Sequence, residues 1–322
     1  MLAPMEGVTD QSMRRILTGI GGYDRCVTEF LRVTDHLYPQ RVFTKNCPEL
    51  ANDGFTDAGI PVYLQLLGSH PQAMADNAAK AAAMGASGID INFGCPAKTV
   101  NRHGGGSALL RTPHTVAEIV ARVRDAVPVR IPVTAKIRLG YEHADNVLDI
   151  ASRIEQAGAA ELCVHARTKV DGYKPPAHWH LVRQVTDQLT IPVIINGEIW
   201  SLENAKQAAM ASGCNDVMLG RSALANPRLA LFIAQQTQAP DADALLPWQQ
   251  VIDLLLALLH SGRHLPEKYV GNRTKQWLTY LRLVYPQAQS TFEQIKRLRS
   301  CDEISTRLKD ADMQCTANPG LH

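Results

Sequence analysis

Apolar residues along this chain fall into two alternating patterns. Short runs bounded by glycine, proline or asparagine read as buried strands at Leu2–Met5, Cys26–Phe30, Val62–Leu67, Gly88–Phe93, Val133–Arg138, Glu161–Ala166, Val193–Asn196 and Asp216–Leu219. Between them lie alanine-rich stretches with apolar residues three and four apart, which predict amphipathic helices at Pro71–Met84, Pro113–Ala126, Asn146–Ala157 and Leu202–Ala211. Gly85, Gly158 and Gly213 stand where such helices end. Repeated strand–helix units over about 235 residues predict an α/β fold, a (β/α)8 TIM barrel, with a doubly wound parallel sheet as the alternative.

The alternation stops at residues 239–247. The acidic, proline-containing stretch 239–247 reads as a linker, and the remainder is helical in pattern, at Trp248–Leu259, Tyr269–Val284, Thr291–Arg299 and Asp302–Leu308. Two domains are expected: a barrel over 1–240 and a small all-helical domain over 241–322.

Composition narrows the class. A chain of 322 residues, 45% hydrophobic and 20% charged, suits a globular protein. No basic segment followed by an apolar stretch opens the chain and no run of about 18 apolar residues occurs, so a cytoplasmic protein without a membrane span is expected. The seven cysteines include no Cys-x-x-Cys pair, which argues for reduced thiols and against a zinc ribbon or iron–sulfur cluster. The net charge of +2 hides a local excess: residues 263–299 carry eight Lys/Arg against Glu267 and Glu293. A basic helical segment fits a polyanion such as RNA; a solvated helix face is the plainer explanation.

Candidate chemistry centres on Asn92-Phe93-Gly94-Cys95-Pro96. It places one thiol at a strand end, followed by Ala97–Ser107, whose triple glycine predicts a loop. With an ordinary thiol pKa near 8.5, Cys95 would be protonated at neutral pH and able to donate a proton; a small hydrophobe closing a strand is the alternative. In a barrel the chemistry sits where strands end, so the polar residues there belong together. They are Glu6, Gln65, Asn92, Cys95, Lys136, Arg138, His165, Arg167, Asn196, Glu198 and Arg221. Gln65 could bond across the mouth, and Lys136 could pair with Glu198. Glycines at 197 and 220, with Arg221, would admit a phosphate, and a lysine in the mouth suits the anionic ring of a reduced flavin. Cys163 and His165 lack a second pair of ligands, so no metal is expected.

These residues together resemble the tRNA-dihydrouridine synthases. The matching pieces are Ala3-Pro4-Met5-Glu6-Gly7-Val8, Thr28-Glu29-Phe30, Gln65-Leu66-Leu67-Gly68, Asn92 to Val100, Lys136-Ile137-Arg138-Leu139-Gly140, His165-Ala166-Arg167-Thr168, Asn196-Gly197-Glu198-Ile199 and Gly220-Arg221. Lys98 to Asn101, the triple glycine and Lys275-Gln276-Trp277-Leu278 with Tyr280-Leu281 are similar to the C-type bacterial subgroup. The resemblance implies an FMN enzyme that uses NADPH to reduce a uridine of the tRNA D-loop, position 16 for that subgroup, to 5,6-dihydrouridine. It implies FMN contacts at Pro4, Met5, Glu6, Gln65, Lys136, His165, Asn196, Gly197, Glu198, Gly220 and Arg221, and Cys95 as proton donor. It implies tRNA contacts at Arg32, Asn92, Tyr173, Arg273, Lys275 and Tyr280. A monomer is the expectation. An FMN barrel acting on a small molecule, and a tRNA-binding folding factor with a vestigial flavin, are the competing readings.

Overall fold

The computed structural model describes residues 1–236 and 245–316, so the expected boundary at 240 lies outside the described residues. The backbone divides into two compact units, one of Met1–Arg14 with Tyr23–Gly220, the other of Arg15–Gly22 with the chain from Arg221 onward.

The first unit is a parallel barrel. Strands β3 (Val62–Leu67), β4 (Ile89–Asn92), β5 (Val133–Arg138), β6 (Glu161–His165), β7 (Val193–Asn196) and β8 (Asp216–Met218) pair in chain order, and β1 (Cys26–Val27) and β2 (Leu31–Arg32) both pair with β3. Leu2 closes the ring, bridging Cys26 on one side and Leu219 on the other. Every residue of β3 and β5 is buried, as parallel strands covered by helices require. At the barrel centre Ala3, Val27, Tyr63, Cys163, Ile194 and Met218 form one apolar cluster.

Three expected elements change. The first strand shrinks to the single bridge at Leu2, because Pro4 has no N–H and the Met5 N–H turns to Thr9 Oγ1 at 2.8 Å. The second strand splits into β1 and β2, because the Thr28 hydroxyl, not a carbonyl, accepts the Gln65 N–H at 3.0 Å. The stretch 97–107 is not all loop: Lys98–Arg102 is helical and a 3-10 turn runs over Gly106–Arg111. The glycines interrupt the helix; they do not abolish it.

The second unit is helical, with Trp248–Ser261, Glu267–Val270, Asn272–Leu281, Pro286–Ile295 and Cys301–Thr316 as its later helices. The helix expected over Tyr269–Val284 breaks at Gly271, where a Cβ would stand 2.4 Å from Ile304 Cδ1. The next helix begins at Pro286, not Thr291, because proline suits the first helical position. Trp277 is fully buried, and its indole N–H donates to the Leu224 carbonyl at 2.9 Å.

Candidate active site

Cys95 sits in a turn held from both sides. Asn92, the last residue of β4, directs its Oδ1 at the N–H groups of Gly94 and Cys95, both at 2.9 Å. The Cys95 carbonyl accepts from Asn101 Nδ2 at 2.8 Å, Ser107 Oγ at 2.8 Å and the Ser107 N–H at 3.1 Å. Gly106, at φ +59°, lies against the same carbonyl, which a Cβ would approach to 2.8 Å. The thiol is half-buried, and burial raises its pKa above the ordinary value, with the Arg138 charge a weaker opposing influence. It therefore stays protonated at neutral pH.

Behind that turn a chain of side chains crosses the barrel. Thr134 Oγ1 donates to Asp90 Oδ1 at 2.6 Å and Gln65 Nε2 donates to Asp90 Oδ2 at 2.7 Å. Asn92 Nδ2 then donates to Gln65 Oε1 at 2.8 Å. All four are buried, and burial is the main cause of a raised Asp90 pKa, offset by the two hydrogen bonds and the Lys136 charge. Lys136 donates from Nζ to Asn196 Oδ1 at 3.0 Å, and Asn196 Nδ2 donates to the Met218 carbonyl at 2.7 Å.

The ends of β6 and β7 form a second cluster. Arg167, fully buried, pairs with Glu198, donates to the Lys174 carbonyl at 2.7 Å and places Nη1 3.3 Å from His165 Nε2. Gly197 and Glu198 both have positive φ, +112° and +60°. A Cβ at 197 would lie 2.8 Å from His165 Cδ2, so only glycine admits the ring here. Tyr173 is exposed, its ring centroid 5.2 Å from the Arg138 guanidinium and 6.0 Å from the His165 ring.

The structure thus links Gln65, Asn92 and Cys95 directly, and Lys136 to Asn196. It groups His165, Gly197 and Glu198 through Arg167. Pro4 and Met5 end the first stave, Met5 Sδ lying 3.8 Å from where a Cβ of Gly220 would stand, while Glu6 and, beyond the same rim, Arg32 of β2 are exposed. Arg221 opens a short helix of the second unit, and Arg273, Lys275 and Tyr280 lie on its helix Asn272–Leu281. There Lys275 donates to the Leu298 carbonyl, and Arg273 to Gln276.

The model of the dihydrouridine synthase family matches residues 1–312. The chain belongs to that family. Among its curated relatives, the tRNA-dihydrouridine(16) synthase of Shewanella oneidensis is 47% identical over 314 residues, covering 97% of each chain. The enzyme of that name from Ralstonia nicotianae is 47% identical over 305 residues, covering 94% of this chain and 93% of its own. Among solved structures, an old yellow enzyme homologue from Zymomonas mobilis superposes with a TM-score of 0.54 at 14% identity, covering 76% of this chain and 94% of that one. That likeness bears on the barrel fold.

In this family member, sequence reasoning missed Asp90 and Thr134. Both lie inside strands whose residues are all buried, and a polar residue there gives no edge signal; only period-two alternation toward the barrel interior could have singled out Asp90 with Asn92. The alternative pairing of Lys136 with Glu198 is not made, since Glu198 turns to Arg167. Cys163 packs its sulfur 3.5 Å from Met218 Sδ. Among the described residues no helix is long and apolar enough to cross a membrane.

Proposed function

We propose that this protein is a flavin-dependent tRNA-dihydrouridine synthase that reduces a D-loop uridine, position 16, with FMN as cofactor and NADPH as reductant. The reading is carried by one observation: in a chain whose residues 1–312 match the dihydrouridine synthase family, a half-buried thiol, its pKa raised by burial, is held at the end of β4 on the mouth of a closed parallel barrel.

The residues present suit a flavin. Lys136 is buried, and no carboxylate lies within 4.0 Å of its ammonium among the described residues, so its charge has room for an anionic partner. Lys136, Gln65, Asn196 and His165 would hold the ring, Pro4, Met5 and Glu6 its flank, and the ends of β7 and β8, Gly197, Glu198, Gly220 and Arg221, its phosphate. A flavin held there would be the source of the hydride that C6 of the uracil requires. Asn92 and Cys95 receive the base, and the thiol proton goes to C5, leaving a thiolate that solvent reprotonates. The base must leave its stack to reach a barrel mouth, which costs a few kcal/mol that phosphate contacts offset. Arg32, Tyr173, Arg273, Lys275 and Tyr280 are the proposed tRNA contacts.

The test is anaerobic reduction of the purified protein by NADPH, followed by unmodified tRNA, with the oxidised flavin absorption as readout. Reoxidation by tRNA but not by uridine or orotate is expected. A flavin that stays bleached with tRNA and recovers with a small enone would replace this reading by that of a small-molecule reductase.

A further inference from the structure

The barrel interior holds a carboxylate that none of those steps uses. We propose that Asp90 is a positioning residue: through Gln65 and then Asn92 it fixes the direction of the backbone turn that presents Cys95. The argument is one of donors and acceptors. Asp90 Oδ2 accepts, so Gln65 must face it with its NH2 group, at 2.7 Å. Gln65 Oε1 is then left facing Asn92, which must answer with its own NH2, at 2.8 Å. Asn92 Oδ1 is thereby left for the N–H groups of Gly94 and Cys95, each at 2.9 Å. Those two groups can only donate, so the far end of the chain demands the same orientation as the near end. Among the amide orientations, one satisfies every member. Reversing either amide sets NH2 against NH2 or carbonyl against carbonyl in a buried place.

Thr134 supplies the tolerance. Its hydroxyl donates to Asp90 Oδ1 at 2.6 Å, and a hydroxyl can equally accept. Protonation of Asp90 on that side leaves Oδ2 an acceptor, so the orientation survives either charge state. The same reasoning predicts that a carboxamide at 90 is accommodated, oxygen toward Gln65 and NH2 toward Thr134. It is not accommodated once the hydroxyl is removed.

The catalytic meaning of this relay rests on reading Cys95 as the proton donor; its existence does not. The test is therefore alkylation of Cys95 by iodoacetamide in the full chain, followed by peptide mass mapping, alongside kcat and KM on tRNA. Asp90→Asn and Thr134→Val are each expected to stay within about twofold of the parent rate. Together they are expected to change the Cys95 alkylation rate about tenfold or more, with kcat falling and KM for tRNA held. A double variant equal to the product of the singles, or a single Asp90→Asn effect as large as the double, overturns the relay. Should the double variant not fold, Gln65→Met cuts the relay at its middle: it is expected to change alkylation as much, and an unchanged rate overturns the proposal. If alkylation behaves as expected while the parent protein does not reduce tRNA, the relay stands and the functional reading falls.

Discussion

At the scale of single residues, the proposed chemistry asks for a thiol whose pKa burial raises and whose backbone turn is held by hydrogen bonds. Cys95→Ala is expected to keep flavin and tRNA binding and to lower turnover by roughly 10²–10⁴-fold, the usual worth of a placed general acid. Single-turnover reoxidation of reduced enzyme by tRNA measures it, and full activity would remove Cys95 from the mechanism. Cys95, Gln65, Lys136, His165 and Asn196 were legible in the sequence because each is polar at or near the end of an apolar run. What could not be read was who pairs with whom. Lys136 reaches Asn196, whose Cα lies two strands away in the sheet, and Glu198 answers Arg167. Both choices depend on barrel register, which places Asn92 beside Lys136 and His165 beside Asn196.

At the scale of elements, the segment after β4 is held more firmly than its glycines suggest. Three hydrogen bonds from Asn101 and Ser107 end on the Cys95 carbonyl. Gly106→Ala would place a methyl group 2.8 Å from that oxygen at a φ of +59°. It is expected to destabilise the fold by about 1–3 kcal/mol and to cut turnover about tenfold, because the strain falls on the turn that carries the thiol. Urea unfolding together with kcat measures both. A loss of stability with unchanged kcat would separate this segment from the chemistry. A second element-scale feature, the buried bidentate pair of Arg14 with Glu49 at 2.8 and 2.6 Å, also ties the start of helix Gln11–Ile20 to the barrel through the Thr9 carbonyl. No spacing rule links positions 14 and 49, so this pair emerges only on folding.

At the scale of the whole molecule, burial of thiols makes stability depend on pH. Burial pushes Cys26 and Cys47 up to about 12 and Cys163 up to about 11, from 9.0. Folded pKa values are raised, so the stability from these groups is complete below pH 9 and is lost as pH rises toward 11–12. At pH 10 the loss is on the order of 1 kcal/mol for each thiol. Urea unfolding under reducing conditions at pH 8 and 10 checks this, and equal midpoints would contradict it. The second unit carries the exposed cations Arg297 and Arg299, within the same basic stretch 263–299 as Arg273. Replacing all three by alanine is expected to weaken tRNA binding and to lower the slope of log affinity against log salt by roughly 0.7–0.9 for each phosphate that is no longer neutralised. An unchanged slope would remove these residues from the RNA interface. By itself, the sequence determined the parallel barrel, the helical remainder, the polar residues at the strand ends and the family, because apolar periodicity and local motifs are encoded within a few neighbouring residues. Tertiary structure alone decided that Leu2 closes the ring, that Thr28 splits the second stave, and that Asp90 and Thr134 stand behind Cys95. Each of those follows from hydrogen bonds between residues far apart in the chain, whose donors and acceptors meet only once the barrel register is set.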